Sequence, residues 1–263
     1  MPILTADQAL SGMLTPFPIY RASATAEGAG TFQSLWKGTG TPGAGSNPPL
    51  FSAGSGYVPD DTTAGALTFT NSLQTYLGRL SMSGPTAGYL VVYDRVWACS
   101  GFSTVSTSAQ NIVTPGLPGR QSGNYVGVEA WLEVYTAPGA TGANWTLGYT
   151  DQSGNTGATA VYAHPANAET VGQMMRFPLA AGDHGVQSVQ SLTCSVSSGT
   201  AGDIGITLIR RIAEIPITAN GVVLDVFGLG LPKIPDDACL AMMMLCSTTS
   251  TGIVIGSLSL TQG

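Results

Sequence analysis

The chain has 263 residues, and only 9% of them are charged, against about 25% in an average soluble domain. The formal net charge is −6 and no basic cluster exceeds the pair Arg210-Arg211, so no electrostatic footprint for nucleic acid is present. Apolar residues make up 43%, yet the longest apolar run, 238–246, is far shorter than the roughly 20 residues of a membrane-spanning helix, and no membrane partner is expected. Polarity comes mainly from Ser, Thr, Asn and Gln, with 35 Gly and 16 Pro. Such a composition disfavours long solvated helices and favours short strands joined by tight turns. A surface this poor in charge suits a chain that ends up against partners, because charge is depleted in the cores of interfaces.

Residues 1–60 differ in character from the rest. MPILTADQALSGML has neither a basic n-region nor a sustained apolar stretch, so no secretory leader is expected there, and a short helix fits 7–14. KGTGTPGAGSNPPLFSAGSG then holds too little apolar surface to fold alone. It is expected to form an extended Gly/Pro-rich arm, held down by the body of the protein (61–263) or by neighbouring chains. At 71–80, Leu73, Leu77 and Leu80 fall at i, i+4 and i+7 behind Asn71, which predicts a short amphipathic helix.

Beyond residue 80 the period changes to two. Strands are expected at 89–97, 126–135, 144–150, 156–163, 173–179, 186–196, 204–212, 222–227, 240–247 and 253–260. In 126–135, Val126, Val128, Ala130, Leu132 and Val134 share one face, and Glu129, Trp131 and Glu133 share the other. The run ACLAMMMLC is apolar on both faces. It reads as a central strand covered within the fold, or as one whose second face meets another subunit through adaptable Met side chains. Regular strand spacing with turn signals between predicts an all-β protein, an antiparallel β-sandwich or jelly roll with an N-terminal arm and one short helix.

The residues that could carry chemistry form no convincing constellation. Gly38, Gly40 and Gly43 match G-x-G-x-x-G, but they neither follow a strand nor open a helix. Asp183-His184 would need a positioned nucleophile, and AAGDHG reads as a turn before a strand; His164 reads as a loop residue. Glu129 and Glu133, flanking Trp131, would sit roughly 13 Å apart on a strand, too far for a glycosidase pair. They are expected on a solvent face or paired with Arg210 or Arg211. Asp151-Gln-Ser-Gly-Asn155-Thr-Gly157 resembles part of a calcium loop, but the Gly comes one place late and position twelve is Tyr162, so a hairpin turn is expected. Cys99, Cys194, Cys239 and Cys246 contain no CxxC pair, and with two histidines a zinc site has few ligands to draw on; four buried free thiols are expected. No catalytic, cofactor-binding or metal-ligating residue is assigned, and no cofactor.

The stretches WTLGYTDQSGNTG, MMRFPLAAGDHGVQSVQSLTCS, GTAGDIGITLIRRIAEIPI and GLGLPKIPDDACLAMMML resemble a family of structural proteins of tailed bacteriophages, over about residues 140–263. The resemblance brings no catalytic motif. It implies a non-enzymatic virion protein, made in the host cytoplasm. Within that class, the composition and the arm favour a capsid decoration or cement protein that clamps major capsid subunits and stabilises the shell. Its partners would be the major capsid protein and further copies of itself, with a trimer favoured. The alternative is a tail or fibre component, with carbohydrate binding through an exposed Trp131 or Trp145.

Overall fold

In the computed structural model, residues 3, 5–22, 27–53, 56–69, 73–112, 117, 119–121, 123–164 and 169–263 are described. Among them sixteen strands occur in chain order. They are β1 (Phe17–Ala22), β2 (Phe32–Ser34), β3 (Gly40–Thr41), β4 (Thr75–Ser83), β5 (Gly88–Ser103), β6 (Gln110–Asn111), β7 (Val128–Thr136) and β8 (Ala143–Asp151). There follow β9 (Ala158–His164), β10 (Gln173–Arg176), β11 (Val186–Cys194), β12 (Asp203–Ile217), β13 (Val222–Leu224), β14 (Lys233–Ile234), β15 (Leu240–Cys246) and β16 (Ile253–Gln262). The two helices are short: α1 (Ala6–Ser11) and α2 (Val226–Leu229). Neighbouring strands pair antiparallel, so the all-β, antiparallel sandwich architecture expected from the alternation is the one observed.

The chain divides into two compact units, one made of 1–46, 60–94 and 211–263, the other of 47–59 and 95–210. The long strands β5 and β12 contribute to both. In the first unit the sheet β13-β4-β16-β1-β3, with β14 also on β4, packs against β15 and its neighbours β2 and β5. The core between them includes Leu77, Leu80, Met82, Leu240, Met242 and Leu258. In the second unit the sheet β6-β11-β8-β9 covers β7 and its neighbours β12 and β10. That core includes Leu132, Val134, Trp145, Leu147, Leu192 and Ile206.

Residues 1–60 are shared between the units. Thr5 caps α1 in a reciprocal capping box with Gln8, and the predicted 7–14 helix is realised as Ala6–Ser11. Arg21 on β1 is buried, and its guanidinium donates to the carbonyls of Leu35, Trp36, Pro42 and Gly43, which ties together the two ends of a segment whose apolar anchors, Leu35 and Trp36, lie at one end only. Trp36 donates from Nε1 to the Ser46 carbonyl (2.9 Å), and its ring lies so close to Gly45 that a Cβ there would stand 2.1 Å from Cε2. The second unit repeats the device: a Cβ on Gly56 would stand 2.0 Å from the ring of Trp97. Tyr57 exchanges backbone bonds with Ala98 (2.8 and 2.9 Å), and Phe51 stacks on Phe102 with centroids 4.5 Å apart.

The helix expected at 71–80 is absent: Thr75–Ser83 is a strand, β4, and Asn71 lies outside the described residues. The register explains the misleading spacing. Ser259 faces Arg79 and the next residue, Leu260, faces Leu77, so Gly78 is the extra residue of a β-bulge. The bulge puts Leu77 and Leu80, three apart, on the same core face. In β11 two register irregularities likewise turn Val186, Val189 and Leu192 into one core. The expected strand 222–227 ends at Leu224, where Asp225 caps α2 by accepting from the N–H groups of Phe227 and Gly228.

The ACLAMMMLC strand is covered on both faces within the chain: each residue from Leu240 to Met244 is at most 3% exposed. It is therefore a central strand, and its second face is not a surface for another subunit. All four cysteines are free and buried. Burial pushes the Cys99 thiol up to about 12, and Cys194 and Cys246 in the same direction. Among the described residues no helix is long and apolar enough to cross a membrane.

Candidate functional site

Two of the sequence motifs meet in one cleft of the second unit. Glu129 at the start of β7, Arg176 at the end of β10 and Asp183-His184 in the turn before β11 line a pocket of about 240 Å³, floored by Val128, Phe177 and Leu179. Their hydrogen bonds decide what the pocket can do. Glu129 takes an ion pair from Arg176 (3.2 Å) and a hydrogen bond from Trp131 Nε1 (2.9 Å). Asp183 accepts from the Tyr149 hydroxyl, which in turn accepts from the Ala180 N–H (2.8 Å). Burial, then this bond to Asp183, pushes the Tyr149 phenol up to about 12. His184 is held by its backbone, its N–H donating to Gln152 Oε1 (2.8 Å) and its carbonyl accepting from Gly127 (2.7 Å). No Ser, Thr or Cys lines the pocket among the described residues, so Asp183-His184 does not assemble with a nucleophile there.

The expectation that Glu129 and Glu133 lie on a solvent face or pair with Arg210 or Arg211 is corrected by the fold. Glu133 is fully buried and pairs with Arg95 (2.8 Å), while accepting from Tyr135 Oη (2.8 Å) and Thr207 Oγ1 (2.7 Å). Arg210 donates instead to the carbonyls of Asn124 and Val126, and Arg211 pairs with Glu214. The face of β7 carrying Trp131, Glu133 and Tyr135 is thus covered, whereas alternation alone marks it as the wet side. Trp131 and Trp145 are at most 2% exposed, which removes them as a carbohydrate platform. The TDQSGN segment is the expected hairpin between β8 and β9. Asp151 is its anchor: Asn155 Nδ2 and the N–H groups of Ser153 and Asn155 all donate to it, holding its carboxyl below the usual range. No group of three or more His, Cys, Asp or Glu side chains suited to a metal occurs among the described residues.

His164 is not an ordinary loop residue. At the end of β9 its Nε2 lies 2.6 Å from Glu169 Oε1, and the two side chains are 4% and 2% exposed. Removing one partner of such a pair leaves the other buried alone. His164→Leu and Glu169→Leu are each expected to cost about 3 kcal/mol in urea unfolding, since either leaves the other side chain buried without its partner. A negligible loss in either variant would contradict the pairing.

The other candidate is a surface. On the first unit, Phe227 (78% exposed), Leu10 (60%), Val223 (52%), Tyr20 (48%), Ile255 (47%) and Ile253 (38%) stand in the open. Tyr20 pairs directly with Ile255, and Val223 with Ser81, on the face of β13-β4-β16-β1 that is turned away from the core. Two adjoining grooves, of about 530 and 560 Å³, run over this region with Val223 lining both. No sequence signal marked these residues, because exposed apolar positions at a strand edge look like the alternation of any half-buried strand.

No family model matches the chain, and no curated protein matches it. Among solved structures it is similar to the infectious bursal disease virus VP2 subviral particle, at 10% identity and a TM-score of 0.21, covering 95% of this chain and 81% of that one. A structure of the Gx strain of infectious bursal disease virus is similar at 9% identity and a TM-score of 0.19, with the same coverage. Likeness at this level assigns neither fold nor function.

Proposed function

We propose that this chain is a non-enzymatic structural subunit of a tailed-bacteriophage particle: a capsid decoration or cement protein that clamps major capsid subunits and acts as an oligomer, a trimer by preference. The observation that carries the packing role is the open apolar face of the first unit, in a chain with only 9% charged residues. Singly scattered apolar residues are ordinary on a surface; a contiguous patch rimmed by polar groups marks a protein contact. The resemblance of residues 140–263 supports the phage particle as the setting. The mechanism is burial of apolar area between subunits, worth roughly 25 cal/mol per Å² before the cost of association is subtracted. The tail or fibre alternative loses its glycan-binding version with the burial of Trp131 and Trp145.

The test is direct. The purified chain, added to phage shells assembled without it, is expected to co-sediment with them and to raise the temperature at which they rupture. Shells that neither bind the chain nor gain stability from it would sink the reading.

A further inference from the structure

We propose that the open face of the first unit is where one copy of this chain packs on another. The inference rests on the reading of the chain as a packing subunit and names the occupant of its contact surface. Three features point to a second copy.

The first is shape. Along one cross-strand row, Val223 on β13, Ser81 on β4, Ser257 on β16 and Pro18 on β1 lie side by side; in the next, Ser83, Ile255 and Tyr20 do. Small serines thus form a trough along β4, walled by Val223 on one side and by Tyr20 and Ile255 on the other. Beside it, the second groove is walled by Leu10 and by Val223 and Phe227, with Gly78 and Arg79 in its floor. The surface carries both a ridge, Val223–Phe227, and troughs of matching apolar character, which is what a self-complementary contact needs.

The second is charge. Among the described residues, Arg79 and Asp225 are the charged side chains lining the two grooves, one of each sign. Two copies, each at −6 overall, can therefore meet here without opposing like charges. The third is area. Six large apolar residues, 38–78% exposed, share this face, whereas a monomer's largest apolar patch is ordinarily about 300–600 Å² and a standard interface covers ~800 Å² per partner. Strand addition is not the route: β3 has two residues and β13 three, too short to template a neighbour's strand. The contact is face to face.

Sedimentation velocity and light scattering on the full chain, over a wide concentration range and without shells, test the proposal. The wild type is expected at two or more times the monomer mass of 26.8 kDa. The double substitution Val223→Ser with Phe227→Ser, at exposed positions, is expected to weaken association by a factor of about 10 or more while leaving the circular dichroism spectrum intact. Tyr20→Ser, on the opposite wall, weakens it independently. Val161→Ser, at an exposed valine of the second unit (46%), leaves it unchanged. An oligomer that survives both face variants, or one that Val161→Ser dissociates equally, overturns the proposal. So does a wild type that is monomeric throughout; if that monomer binds shells through the same residues, the face belongs to the shell and the decoration role stands. Self-association through this face combined with failure to bind shells leaves the proposal intact and removes the decoration role.

Discussion

Glu133→Leu is expected to destabilise the protein by about 3–5 kcal/mol, because it leaves the Arg95 guanidinium buried without its counter-charge. Arg95→Met should cost a similar amount for the mirror-image reason. Both side chains are 0% exposed, so water cannot take the place of the missing partner. The neighbours are committed to the same charge: Tyr135 Oη donates to Glu133 and accepts from Arg95 (2.9 Å), and Thr207 donates to Glu133. Burial above all, with the Glu133 charge next, keeps the Tyr135 phenol well above its ordinary range, so it stays a donor at any working pH. Against a total stability on the order of 5–15 kcal/mol, either single change is severe. The double variant Arg95→Met/Glu133→Leu is expected to cost less than either single change, since it removes both charges from the interior together. Urea unfolding of the four proteins gives the coupling directly. Losses that simply add would show that the two groups do not depend on one another.

The second large effect is expected at Arg21. Arg21→Met removes the charged donor shared by four backbone carbonyls, those of Leu35, Trp36, Pro42 and Gly43. Leu35 and Trp36 keep the N–H groups of Gly38 and Gly45, and Pro42 and Gly43 reach the surface, so what is lost is the bridge between them. Hydrogen bonds to a charged group contribute about 1.5–3 kcal/mol each, so a loss on the order of 3 kcal/mol is expected. Desolvation lowers the guanidinium only to about 10, so the native group is charged at neutral pH. Arg21→Lys should not restore stability, because one ammonium cannot reproduce the planar fork that reaches all four oxygens. Limited proteolysis locates the effect: both variants should be cut early within 35–46, where the wild type resists. A wild-type cleavage pattern in Arg21→Met would show that Trp36 and its seat against Gly45 hold the segment without the arginine.

These two groups show where reading the sequence stops. Arg21 stands in FPIYRA and Glu133 in VEAWLEVY, where alternation places a charge plausibly at the surface. Nothing local indicates that each is buried, because what covers them comes from residues distant in sequence. Leu77 and Leu80 mislead for a related reason. Their separation of three fits one face of a helix, and only the partner strand β16 reveals the bulge at Gly78 that fits it to a sheet. The pocket of Glu129, Arg176, Asp183 and His184 has the same origin: its two motifs are read separately along the chain, and antiparallel pairing brings them together.

What the sequence determined by itself is what short-range physics encodes. Glycine, proline and β-branched residues in place of Glu and Lys favoured strands and turns over helices, and the period of two located most strands after residue 80, although β5 and β12 run to Ser103 and Ile217, well past the expected ends at 97 and 212. The Thr5–Gln8 capping box and the Asp151 turn were likewise local. The tertiary structure decided which faces are wet. It covered both sides of β15, buried Trp131 and Trp145, and left Val223 and Phe227 in the open. Burial depends on the strand that arrives on the other side, and periodicity names a face without saying what will lie against it.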